Sequence, residues 1–150
     1  MQLRAKLSNS TFNPETGIST VTVKTKRGTY TGVAKVHPED KEIQSKYTGL
    51  RIAEMKAMRK AYKDELKRER IILHVLPSIQ KDLIHTLDKY SAYQTLLAWA
   101  QVLIERRFYF ITENHKKRIN LIEEKIEAIN HALEDNKKFL KQIKEKRSKK

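Results

Sequence analysis

The chain has 150 residues, with 32 Lys and Arg against 18 Asp and Glu, a net charge of +14 and no cysteine. Missing thiols exclude disulfides, thiolate metal sites and a cysteine nucleophile, and the length suffices for one domain with its own core. A field of this sign draws polyanions, so DNA, RNA or a nucleoprotein complex is the expected class of partner.

The first twenty residues hold no continuous apolar core of a signal peptide, and no apolar run anywhere exceeds five residues. A membrane is therefore not expected as a partner, and a reducing, cytoplasmic setting is.

All four glycines and two of the three prolines precede residue 50. Leu3, Ala5 and Leu7 alternate with Gln2, Arg4 and Lys6, and Val21 and Val23 alternate with Thr20, Thr22 and Lys24. This period of two belongs to half-buried strands. Asn13-Pro14-Glu15-Thr16-Gly17 separates the first pair as a loop, and Arg27-Gly28 places a hairpin reversal at which Gly is expected to supply a positive φ. Tyr30, Ala34 and Val36 continue the apolar face, with Gly32 either leaving room for a helix or marking a bulge. Strands are thus predicted over 2–12, 17–26 and 29–37. Their polar face brings Arg4, Lys6, Lys24, Lys26 and Lys35 together among threonines, suited to phosphate contact through point charges and hydroxyls rather than to base stacking.

His37-Pro38-Glu39-Asp40 closes the sheet. A histidine with two carboxylates invites a metal-nuclease reading, but metal-nuclease ligands are normally gathered from several strands, and a turn followed by a helix start explains these residues as well. Leu50, Ala53, Ala57 and Ala61 then mark an amphipathic helix whose small residues permit close approach to the sheet. Its other face is basic, with Arg59 and Lys63 as candidate polyanion contacts and pairs such as Lys60 with Asp64 along the helix. Pro77 is expected to end this helix, with a kink as the alternative, which sets a boundary between regions 1–76 and 77–150.

No glycine or proline follows Pro77, so the remainder reads as helix. Ser91-Ala92-Tyr93-Gln94 has the spacing of a capping box. Leu96, Leu97, Ala100, Leu103, Ile104, Phe108 and Ile111 require burial, and Trp99 is expected to anchor the helical core, with a surface position used for partner binding as the alternative. Ile119, Ile122, Ile126, Ile129, Leu133, Asn136, Leu140 and Ile143 alternate spacings of three and four. This seam packs either within the chain or against another copy. From Lys137 onward eight basic residues meet only Glu145, making Lys144, Lys146 and Arg147 further candidates for polyanion contact.

The glycines fit no phosphate-binding loop, and the five histidines are dispersed. No catalytic residue, metal site or cofactor is expected. The fold class is α+β: a three-stranded antiparallel β-meander packed on a helix, followed by a long helical hairpin or coiled coil.

The run Gly28-Thr-Tyr-Thr-Gly-Val-Ala-Lys-Val-His-Pro-Glu-Asp40, followed by Ser45, Gly49 and Ala53-Glu54-Met55-Lys56-Ala57, resembles small uncharacterised proteins of Gram-positive phages, prophages and mobile elements. The resemblance covers about thirty residues and implies a bacterial host cell as setting, with no site residues to transfer. Charge and setting together give a non-enzymatic protein that contacts nucleic acid or a nucleoprotein complex. Two other readings remain open: an inhibitor docking on a host nucleic-acid-handling or defence protein, and a structural protein that self-associates through the seam.

Overall fold

The computed structural model describes residues 5–36, 46–90 and 94–147, without the side chains of residues 90, 94, 95, 144 and 147. Three strands, β1 (Lys6–Asn13), β2 (Ile18–Thr25) and β3 (Gly28–Lys35), precede two helices, α1 (Lys46–Tyr90) and α2 (Gln94–Arg147). The protein is α+β, as its periodicities require. The Ser91 capping box and the His37–Asp40 turn lie outside the described residues.

The sheet is an antiparallel meander in the order β1-β2-β3. Its first reversal is set by Asn13, whose Oδ1 accepts from the backbone N of Glu15 and Thr16, while Gly17 adopts φ +64°, a conformation in which a Cβ is strained. The second reversal departs from expectation. Gly28 has no positive φ. Instead Thr25 holds the turn, its hydroxyl accepting from Arg27 N at 3.2 Å and donating to Gly28 O at 3.1 Å. The irregularity between Leu7 and Asn9 interrupts the β1–β2 ladder.

By packing, the chain forms two compact units, Met1–Asp64 with Glu124–Lys150, and Glu65–Glu123. In the first, Val21, Val23, Ala34, Ala53 and Ala57 make the core, with Leu50, Ile52 and Met58 against it. Alanines at i, i+4 and i+8 of α1 leave its backbone bare on one side, and Gly32 does the same for β3. A Cβ on Gly32 would lie 2.6 Å from Ala57 N and closer still to Ala53 O. Helix and sheet therefore touch backbone to backbone, which only these residues permit. The hydroxyl of Tyr30 donates to Asp64 Oδ2 at 2.6 Å, fastening β3 to α1 at a second level. Expected pairing of Lys60 with Asp64 is replaced by this bond. β1 gains less from the helix. Leu7, expected on the buried face, is 57% exposed, because the helix contacts run to β2 and β3 and the ladder irregularity displaces this end of the edge strand.

In the second unit α1 and α2 run antiparallel, with Glu65 and Glu69 facing Arg118 and His115. Pro77 does not end α1, and residue 76 lies within the helix. A proline there removes the hydrogen bond to Leu73 O, but Pro77 is exposed, so solvent can satisfy the freed carbonyl and the helix runs through.

Candidate nucleic-acid interface

The three strands contain Lys6, Lys24 and Lys35 and no Asp or Glu. Side chains alternate, so the face opposite α1 is fixed once Val21 and Val23 point inward. In the ladder Lys6 stands directly opposite Lys24, and Lys26 follows in the hairpin turn; all three are exposed. Beyond them run Thr22 and Thr31, opposite one another with their hydroxyls 3.3 Å apart, and then Thr20 opposite Val33. Lys35 pairs with Ile18 at the far end, roughly 20 Å from Lys24 at the usual strand rise. The expected five-cation face is thus a cluster of three at one end and one lysine at the other. Arg4 lies outside the described residues. Exposed Val33 and half-buried Ile18 make the far end partly apolar.

Several cations of α1 are used within the first unit. Lys56 Nζ donates to Val33 O at 3.0 Å and Lys60 Nζ to Thr31 O at 2.7 Å. These carbonyls belong to β3, an edge strand, and the two lysines cover acceptors that would otherwise invite another strand. Arg59, expected to contact a polyanion, is half-buried and donates from Nη1 to Asn130 Oδ1 at 3.2 Å. That bond turns its guanidinium towards α2. Lys63 is exposed on the same helix, and Lys146 is exposed near the end of α2. The side chains of Lys144 and Arg147 lie outside the described residues.

A cleft of ≈ 390 Å³ opens where Ile52, Leu133 and Leu140 meet Lys56, Arg59 and Lys137. It does not supply an anion site, because Lys56 and Arg59 are held by the bonds just described and Glu134 adds a carboxylate to the lining. The seam on α2 faces inward. Ile122 and Leu133 are buried, and Ile119, Ile126, Ile129, Leu140 and Ile143 are half-buried. In the first unit its Leu133 and Leu140 share the cleft with Ile52 of α1, so the seam is used within the chain. Asn136, on the same face, donates from Nδ2 to Ala132 O at 2.6 Å, satisfying itself on its own helix.

The second unit holds a polar cluster that periodicity did not reveal. Glu69 is fully buried, and its Oε2 bonds His115 Nδ1. Arg118 Nη2 approaches Glu69 Oε1 at 2.7 Å and Glu65 Oε1 at 3.4 Å. The approach to Glu69 is an ion-pair contact off hydrogen-bond alignment, so among the described residues Glu69 Oε1 and Arg118 Nε find no hydrogen-bond partner. At the mouth, Arg70 Nη2 donates to Glu123 Oε1 at 2.6 Å. The signal was present in part: the seam extended back one heptad from Ile122 lands on His115. Among the described residues no group of three His, Asp or Glu is placed to hold a metal ion, and no helix is long and apolar enough to cross a membrane.

No family model matches the chain, and neither a curated protein nor a solved structure matches it.

Proposed function

We propose that the protein is a non-enzymatic binder of nucleic acid or of a nucleoprotein complex, from a phage or mobile element, and that the sheet end carrying Lys6, Lys24 and Lys26 is its first point of contact. The observation that supports this reading is the placement of Lys6 directly opposite Lys24, both exposed, on strands without a single carboxylate. Like charges across a ladder weaken a sheet by about 0.2–1 kcal/mol. A phosphate between them turns that cost into attraction, and the neighbouring threonine hydroxyls add donors for phosphate oxygens. The face has no exposed aromatic ring for stacking among its paired positions, so contact is with the backbone and weakly sequence-specific.

The test is a salt titration of binding to labelled duplex and single strands, comparing the parent with a Lys24→Glu, Lys26→Glu double variant. Affinity falls with salt, and the variant's log–log slope is shallower by about 2, one for each lost phosphate contact. Binding that ignores salt, or that the double variant retains in full, rejects the reading.

A further inference from the structure

On both helices of the second unit, more apolar side chains point outward than a stable isolated hairpin needs. In α1, Leu66, Leu73, Leu76, Ile84 and Leu87 are half-buried and form the inner seam, yet Ile72, Val75, Ile79 and Leu83, at spacings of three, four and four, are exposed. In α2, Leu97, Ala100, Ile104, Phe108 and Ile111 face inward, while Leu96, Leu103 and Trp99, all three expected in the helical core, are exposed together with Phe110, because the partner helix covers only one stripe. Each outer stripe lies roughly 100° from its inner seam at 100° per residue, rotated in the same helical sense. In antiparallel helices equal senses of rotation point to the same side of the pair. The two stripes therefore form one face.

From this arrangement we infer that the second unit pairs with the second unit of another copy, face to face, forming a four-helix bundle across a two-fold axis. The eight side chains expose on the order of 800 Å² together, which is one partner's share of a standard stable interface. Solitary hairpins rarely carry an apolar patch of this size, whereas bundles of two hairpins bury one. The α1 and α2 stripes extend for similar lengths, roughly 15–20 Å at 1.5 Å per residue, so a copy turned by the two-fold covers both. Charge is self-complementary as well. Arg106 interrupts the α2 stripe between Leu103 and Phe110, and Asp82 borders the α1 stripe beside Ile79, so each copy offers both signs to the other. The interface is distinct from the inward-facing seam and independent of the proposed polyanion contact.

Trp99 is the one tryptophan and is 68% exposed, which makes it a built-in reporter. Sedimentation equilibrium of the full chain over nanomolar to tens of micromolar concentration gives a monomer–dimer equilibrium, and Trp99 emission moves to shorter wavelength over the same range. Leu103→Glu and, separately, Val75→Glu weaken association at least about 100-fold, as loss of a central apolar anchor does, with helicity by circular dichroism unchanged. The substitutions sit on different helices and at exposed positions, so a folding defect in one leaves the other, and the parent's Trp99 shift, to decide. A parent that stays monomeric throughout overturns the inference, as does undiminished association of a folded variant. A Trp99 shift that occurs only with vesicles containing phosphatidylserine overturns it too, and assigns the face to a lipid surface.

Discussion

The two compact units distribute polarity in opposite ways. Met1–Asp64 with Glu124–Lys150 buries valines and alanines and turns its strand lysines outward, whereas Glu65–Glu123 buries Glu69 and Glu65 and exposes Ile72, Val75, Trp99 and Phe110. A sheet has two faces, and a helix laid on one of them covers a whole apolar surface at once. A pair of helices covers only one stripe of each partner. An apolar helix with two stripes is therefore half-satisfied in a hairpin, and its second stripe calls for a further layer. The buried carboxylates add to the contrast, since ion pairs in a narrow interhelical seam contribute less net stability than apolar packing of equal volume while fixing which residues meet.

The largest effect is expected where the inverted unit keeps its charge. Arg118→Met removes the cation facing Glu69 and Glu65 and should cost about 3–5 kcal/mol, as stranding a buried charge does. Adding Glu69→Leu and Glu65→Leu should recover most of that loss. Urea denaturation of the parent, single and triple variants checks both parts, and a single variant as stable as the parent would show that the cluster is solvated rather than sealed.

Gly32→Ala strikes the other unit. Its methyl group would press on the backbone of Ala53 and Ala57, so α1 must move off β3, at about 3 kcal/mol by the usual cost of overpacking. A drop in thermal midpoint together with weakened amide protection in β2 and β3 is the expected signature. Protection lost only in 65–123 would show that the two units do not divide the core as described.

Lys24→Thr should have the smallest effect and the opposite sign. Relief of the Lys6–Lys24 opposition should stabilise the sheet by about 0.5 kcal/mol while lowering affinity for a polyanion. Equal stability with equal binding would mean that the two ammonium groups diverge into solvent and that neither repulsion nor phosphate contact is at work there.

Legibility in the sequence followed the range of the interaction. Strand alternation at Val21 and Val23, the Asn13–Gly17 loop, the alanine face of α1 and the three–four spacing of the α2 seam are local patterns, and each appears where its period places it. Residue type alone misleads at Gly28 and Pro77, because a threonine hydroxyl closes the turn and an exposed helical position tolerates the lost hydrogen bond. Lys56, Lys60 and Arg59 read as surface charge until the structure brought edge-strand carbonyls and Asn130 within reach of their long side chains.

By itself the sequence determined the element types, their order, the core face of the sheet and the excess of positive charge, because these depend on neighbours within one or two turns of chain. Only the tertiary structure decided which apolar stripe of each helix is covered, which cations remain exposed and that Glu69 is buried beside His115 and Arg118. A helix with two stripes has no local preference between them. The choice is made by the partner helix, whose matching residues lie some fifty positions away in the chain.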